Sequence, residues 1–348
     1  MDIKRMTWVA VLLVLAAGLL AACGSEKPPA ATEAPVVQPS PEVPTNPPPT
    51  APPTETPLPQ PTPTPTTDPV QESITAGIVL MESGDLDAAI LEFTKAISAN
   101  PNSFQAYLER AKAYTDQNKL DEALADVEQA LSLQPDLAEG YYQRGVILER
   151  QEKPEEALKD LDKAILLDPN NAQYYNARGI AQVQNNNLGL SVIDFTQAVT
   201  LTNGLELTQG ITLTPPATPT QPIEVDPLVV KVLINRGNAY AMSSQIDLAI
   251  VDFNRAIYLN PNNAVAYFNR GLAYSQMGMA NEALADFNRA IELRPDDALA
   301  YYHRALTYGY LGQTNNAIAD LRKVIELAKD EDLKNIATEY LKQMGATP

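Results

Sequence analysis

The chain has 348 residues, and 43 acidic against 25 basic side chains leave a formal net charge of −18. That balance argues against a nucleic-acid surface and against electrostatic docking on anionic lipid, both of which need clustered Lys and Arg. One cysteine and one histidine exclude a disulfide framework and leave little for metal or nucleophile chemistry.

Residues 1–22 read as a processing signal. Lys4 and Arg5 form a short basic start, and Trp8 to Leu20 is an apolar run too short for a comfortable membrane span. It ends Leu20-Ala21-Ala22-Cys23-Gly24, which resembles the lipobox of bacterial lipoproteins. The resemblance implies cleavage before Cys23 and a diacylglycerol on its thiol. An ordinary secretory leader with a chance cysteine, or an uncleaved anchor, is the competing reading, but the sole cysteine falls where lipidation needs it. Losing Asp2, Lys4 and Arg5 would take the formal charge from −18 to −19. Membrane contact would come through the lipid anchor only. The expected location is extracytoplasmic, on the outer face of the cytoplasmic membrane or, since Gly24 carries no retention signal, on an outer membrane.

Residues 23–69 form the second segment. From Lys27 to Pro69 proline and threonine dominate, with no apolar periodicity and nothing to build a core. This reads as a disordered stalk favouring polyproline II. At about 3.1 Å per residue its roughly 43 residues would reach ~130 Å. A passive spacer is preferred to a proline-motif ligand.

From residue 70 the chain repeats itself. Residues 264–297 show two amphipathic helices back to back: Tyr267, Gly271 and Tyr274 line one face of the first, and Ala283, Phe287 and Ala290 one face of the second. Gly278 stands near the turn, and Pro295 stops the second helix. Counting 34 positions from Ala264, position 8 is small in seven units: Gly77, Ala111, Gly145, Gly179, Gly237, Gly271 and Ala305. Position 24 is large (Phe93, Val127, Leu161, Phe195, Phe253, Phe287, Leu321), and position 27 is alanine in all but the last unit, which has Val324. This pattern resembles the tetratricopeptide repeat over residues 70 to about 331. The resemblance implies an all-α solenoid of about seven helical hairpins, first helices lining a concave face. Stacking follows independently, because one hairpin cannot bury its apolar face alone.

The parts are repeats one to four over 70–205, an inserted Pro-rich loop over 206–229, repeats five to seven over 230–331, and a capping helix and tail over 332–348. Asp68-Pro69 is suited to open the first helix. The cap would start at Asp332, with Leu333, Ile336, Ala337, Tyr340, Leu341 and Met344 on one side. In the insertion, Leu205, Leu207, Ile211 and Leu213 alternate with polar residues around Gln209-Gly210, a modest hairpin signal. One continuous stack with a protruding loop is preferred to two arrays, since separation would expose Phe195 and Ala198.

Position 7 is arginine in six units: Arg110, Arg144, Arg178, Arg236, Arg270 and Arg304. Position 23 is acidic in all seven, Glu92 followed by Asp126, Asp160, Asp194, Asp252, Asp286 and Asp320. A guanidinium on a partly buried face needs a partner, so a structural ion-pair ladder is preferred to a row awaiting carboxylate ligands. Pairing within a repeat or to the repeat before stays open.

In the resembled family, positions 2, 5, 9, 12 and 13 face the groove. They include Tyr142 in repeat three and, further on, Ile234, Asn238, Met242, Phe268, Leu272, Leu299, Tyr302, Leu306 and Tyr310. This apolar and aromatic strip lacks the lysine and asparagine set that clamps a peptide's C-terminal carboxylate, so it suits an apolar or aromatic peptide segment. Packing on neighbouring helices is the competing reading for each residue.

No catalytic residues, cofactor or metal ligands are indicated. His303 reads as a surface or groove residue, and no nucleophile elbow or phosphate loop is present. The expected function is a membrane-anchored scaffold binding other proteins or peptides through the concave groove, such as an adaptor or assembly factor of the cell envelope. A glycan-binding or wall-spacer lipoprotein is the alternative. The oligomeric state is not legible.

Overall fold

The computed structural model describes residues 68–215 and 223–347. The leader, Cys23 and the stalk as far as Thr67 lie outside the described residues.

Fourteen helices pair into seven hairpins. They are α1 (Pro69–Ser83) with α2 (Leu86–Ala99), α3 (Phe104–Asp116) with α4 (Leu120–Leu133), and α5 (Ala138–Arg150) with α6 (Pro154–Leu167). Then come α7 (Ala172–Gln184) with α8 (Leu188–Leu201), a short α9 (Gly204–Leu207), and α10 (Pro227–Met242) with α11 (Ile246–Leu259). The last pairs are α12 (Ala264–Gln276) with α13 (Ala280–Leu293) and α14 (Ala298–Tyr310) with α15 (Thr314–Leu327), and α16 (Glu331–Gln343) closes the stack. No strand occurs among the described residues.

Local chemistry sets the helix ends. Asp68, Ser103, Asn263 and Asp297 each accept from a backbone N–H of the first turn they open, satisfying groups that the helix leaves unpaired. Each hairpin turns on one residue in the left-handed region, at position 15 of every repeat. It is Gly84, Gly278 and Gly312 in three repeats, but Asn118, Glu152, Asn186 and Ser244 in the others. A side chain there is crowded against the following carbonyl, least so for asparagine.

Within a hairpin the two helices meet through a small residue facing a large one. A Cβ on Gly271 would stand 2.8 Å from the Phe287 ring, and one on Gly179 would stand 2.6 Å from Phe195. Where position 8 carries a methyl group, in Ala111 and Ala305, position 24 shrinks to Val127 and Leu321. The sum of the two volumes is thus held nearly constant in these repeats, as close packing demands, while repeat three sets Gly145 against the smaller Leu161. Phe93, Phe195, Phe253 and Phe287 are all fully buried.

First helices of neighbouring repeats touch one another as well as the second helix between them, whereas second helices do not approach their counterparts as closely. The stack therefore curves with the first helices on the inner, concave side. It is continuous across the insertion: α10 packs on α8, and Phe195 and Ala198 are buried in one core with Val229, Val230 and Leu233.

The insertion departs from the sequence expectation. Instead of a hairpin, Asn203 takes a left-handed conformation and the chain re-enters helix as α9. Leu205, Ile223 and Val225 pack on the core shared by repeats four to six, which a lone two-stranded ribbon would not allow them to do together. Asn254 Nδ2 then donates to the carbonyls of Thr212 (2.8 Å) and Leu213 (3.1 Å). Both ends of the insertion thus lie against the stack. At the other end, α16 begins with Asp330 as its cap and buries Leu333, Ala337 and Leu341 on repeat seven.

Candidate functional site on the concave face

Two sets of side chains recur along the first helices: the arginines of position 7, on the face toward the second helices, and the residues facing the concave side.

Each arginine makes a two-pronged link to the aspartate sixteen residues later in its own repeat. Arg236 Nε lies 2.6 Å from Asp252 Oδ2 and its Nη2 2.8 Å from Oδ1; Arg270 reaches Asp286 at 2.8 and 2.7 Å. The same fork joins Arg110 to Asp126, Arg144 to Asp160, Arg178 to Asp194 and Arg304 to Asp320. The remaining Nη1 reaches back to position 25 of the previous repeat in five units. Arg110 meets Thr94 (3.1 Å), Arg178 meets Asp162 (2.7 Å), Arg236 meets Thr196 (3.2 Å), Arg270 meets Asn254 (2.6 Å) and Arg304 meets Asn288 (2.7 Å). Pairing therefore runs both within the repeat and to the one before. The Arg236–Thr196 bond crosses the insertion.

Tyrosines three residues before or four after flank the guanidinium: Tyr267 and Tyr274 around Arg270 at 5.5 and 5.7 Å, Tyr301 and Tyr308 around Arg304 at 5.3 and 5.8 Å. Burial lifts the Asp286 carboxyl above the usual range, only partly offset by Arg270. The Nε–Nη2 fork that a carboxylate ligand would need is taken in all six arginines. Repeat one has Ala76 and Ser73 in place of the arginine and its tyrosine, and its Glu92 pairs with Lys95 instead.

The groove residues read from the sequence divide sharply. Met242 is 37% exposed and Tyr310 68%, and both open onto the concave side; Tyr142 and Leu299 are half-buried. By contrast Ile234, Asn238, Phe268, Leu272, Tyr302 and Leu306 are buried, none more than 8% exposed, and do not form an open strip. The reason is that positions 5 and 9 point sideways between adjacent first helices when the side chains are large or paired. Phe268 packs on Phe287 (6.0 Å between centroids) and on His303 of the next repeat (5.5 Å), and Asn238 accepts from Asn269 Nδ2 of the next repeat at 3.0 Å. Tyr302 stacks edge-on against His303, and burial raises its hydroxyl pKa to about 12.

His303 is likewise not on the surface. It is enclosed by Phe268, Phe287 and Tyr302, and burial lowers its pKa to about 4, so it is neutral at pH 7.

Charged and polar side chains that the C-terminal strip does not include also line the concave side in repeats two to four. Positions 12 and 13 there carry Asp116, Glu149, Arg150 and Gln184, which are legible once the same columns are followed toward the N-terminus. Gln184 Nε2 donates to Glu149 Oε1 across the α5–α7 contact. Arg150 Nη1 donates to the Thr115 carbonyl at 2.7 Å. Burial pushes the Glu149 carboxyl up, opposed by Arg150 and by Lys231 two repeats further on. Asp116 is open to solvent yet its carboxyl is also raised, because neighbouring repeats displace water around it, with Arg150 acting against this. That combination marks a group on the wall of a concavity. Nearby, Tyr142 and Tyr174 rings lie 5.0 Å apart, Tyr174 donates to Glu139 at 3.3 Å, and Lys112 bridges Glu109 (3.1 Å) and Glu139 (3.2 Å). At positions 9 and 12 of repeats three and four, Val146, Ile180 and Val183 are half-buried.

Sequence profiles described as tetratricopeptide repeat match residues 74–138, 110–178, 264–297 and 298–331, and a TPR repeat profile matches 237–278. Together they span more than half of the chain. The chain is a tetratricopeptide-repeat protein.

Solved structures share its architecture. The Cut9–Hcn1 hetero-tetramer of the APC/C aligns at a TM-score of 0.60 with 19% identity, over 77% of this chain and 48% of that one, so this chain spans about half its length. A tetratricopeptide repeat protein from Parabacteroides merdae aligns at 0.56 with 20% identity over 77% of this chain and 97% of that chain. Pseudomonas aeruginosa pilF aligns at 0.52 with 15% identity, over 68% of this chain and 97% of that chain. At these identities the likeness is one of fold. No curated protein matches the sequence.

Proposed function

We propose that this tetratricopeptide-repeat protein is a lipid-anchored, extracytoplasmic scaffold whose concave face binds other proteins. The observation that carries the binding half is the open strip running from Asp116 and Glu149 to Met242 and Tyr310. It follows chiefly position 13 of the inner helices, exposed or half-buried in every repeat, while the ladder behind it holds those helices in register. A stack of rigid hairpins presents such a surface without needing to change shape. The anchoring half rests on the lipobox-like run ending at Cys23.

Crosslinkable residues placed at Tyr142, Met242 and Tyr310 in cells test the first half; covalent capture of the same protein from two of the three is expected. Capture of glycan fragments without protein would overturn it. Metabolic labelling with a lipid analogue tests the second half, and Cys23→Ala should abolish both label and membrane association. Persistence of either in the variant would rule out the anchor.

A further inference from the structure

On the convex side, positions 19, 22, 26 and 29 of the second helices are exposed or half-buried in every repeat. Steps of three, four and three residues put those four in one row along a helix, the kind of row through which two helices pack. In α8 the row is Leu190, Ile193, Gln197 and Thr200, all exposed, Leu190 at 52% and Ile193 at 63%. The same columns carry at least one charged residue in each of the other second helices: Lys95, Glu122, Lys159, Arg255, Glu282 and Lys323 are one from each. The single charged side chain of α8, Asp194, is buried against Arg178, 2.6 Å from its Nη2.

Gly189 stands beside that row, one turn before Ile193. Glycine is disfavoured in a helix, and this one neither turns the chain nor makes room within it. Its φ is not positive, and a Cβ there would meet nothing within 4 Å among the described residues. What the missing side chain does is leave the backbone of α8 open to close approach from outside.

We propose that this face pairs with the same face of a second copy, α8 against α8, antiparallel about a two-fold axis near Ile193. Charge selects the second copy. With 43 acidic against 25 basic side chains, two copies repel unless they meet where neither carries charge, and α8 is the one second helix whose outer row allows this. The flanks of the row, Val192 and Thr196, also lack the charges by which a helix chooses a different partner. A two-fold contact needs a self-complementary patch, and an aliphatic row on itself is one. The antiparallel arrangement sets each helix N-terminus beside the partner's C-terminus, so the dipoles attract. Joined through their convex sides, the two copies turn both concave faces outward, each free to hold its own partner.

The test places a photo-crosslinkable residue at Gln197 of the full chain, in cells that also make a second copy with a different tag. A crosslinked product holding both tags is expected. Ile193→Lys in both copies, or Ile193→Glu in both, should lower that product about tenfold or more, because like charges then meet at the axis. Co-expressing the Ile193→Lys copy with the Ile193→Glu copy should restore most of it, which a folding defect could not do. Leu166→Ala removes a leucine that is 75% exposed but lies on α6, and should change nothing. Sedimentation of the detergent-extracted chain should show pairing that strengthens with added salt, as screening weakens the repulsion between acidic copies. Absence of the doubly tagged product, capture of a different protein from Gln197, or pairing that salt weakens overturns the proposal. So does full pairing in either charge variant alone, or no recovery in the mixed pair. Crosslinking from the concave positions tests the scaffold separately, and neither result decides the other.

Discussion

Repeats two to four and repeats five to seven are built on one plan but use their inner helices differently. In the later repeats Phe268, Leu272, Tyr302, His303 and Leu306 fill the seams between first helices, and the Arg236–Asp252 link beneath them is almost sealed, with side chains 4% and 1% exposed. In the earlier repeats the same positions carry Gln143, Val146 and Ile180, and the Arg144–Asp160 link is 28% and 11% exposed. Seam-filling converts a potential binding surface into core. The lesson is that in a repeat array, the side chain one repeat ahead decides whether a groove position is a surface or an interior.

The largest expected contrast lies in the ladder. Asp252→Ala strands a sealed guanidinium and should cost about 3–5 kcal/mol, whereas Asp160→Ala leaves an arginine that water can reach and should cost about 1–2 kcal/mol. Urea unfolding of both variants measures the difference, and equal losses would show that the two links are equally sealed.

Next is the buried histidine. Its folded pKa of about 4 lies below the usual 6.5, so the unfolded chain binds the extra proton between those values. Stability should therefore fall as pH is lowered from 6.5 toward 4, by about 3 kcal/mol at the acid end, with no contribution above 6.5. His303→Leu should flatten that part of the pH profile relative to the parent chain, whose carboxylates titrate in both. An unchanged slope would place His303 in contact with water.

A smaller effect tests the paired volumes inside the hairpin. Gly271→Ala should cost about 1–3 kcal/mol by forcing the Phe287 ring to move, and Phe287→Leu in the same chain should recover part of it, since repeat seven buries Ala305 and Leu321 at the same two positions. Losses that merely add would show that the two positions do not share one space.

The smallest change is a gain. Glu152 occupies a left-handed position (φ 60°) that three other repeats assign to glycine, so Glu152→Gly should stabilise by about 0.5–1 kcal/mol in thermal unfolding. A loss would mean that its side chain makes a compensating contact.

Much of the fold was legible because its determinants are local. The period, the facing of Gly271 by Phe287 and the Asp68-Pro69 helix start all depend on residues within one hairpin. The arginine–aspartate spacing was legible for the same reason, but the third bond to Thr94, Asp162 or Asn254 was not, because three different side chains serve that position. The concave face was less legible. Phe268 and Tyr302 are large and apolar at groove positions, and only the packing of the next helix shows that they are enclosed. Asp116 and Glu149 look like ordinary surface acids until neighbouring repeats take away their water. Leu205 alternates like a strand residue, yet the core of repeats four to six offers it a place as part of a short helix.

The backward reach of five of the six arginines also sets how the stack bears a pull. A load applied at the N-terminus enters through α1, in the one repeat that carries Ala76 instead of a guanidinium, and reaches repeat two through the buried packing of Ile74, Ala96 and Ala106 and the bonds from Arg110 to Thr94 and from Gln117 to Asp87. Each later repeat is clasped to the one before by packing and, in most cases, by such a bond, so tension is met serially, one hairpin at a time. A pull on the first repeat is thus resisted at its own joint before it reaches the strip from Asp116 to Tyr310.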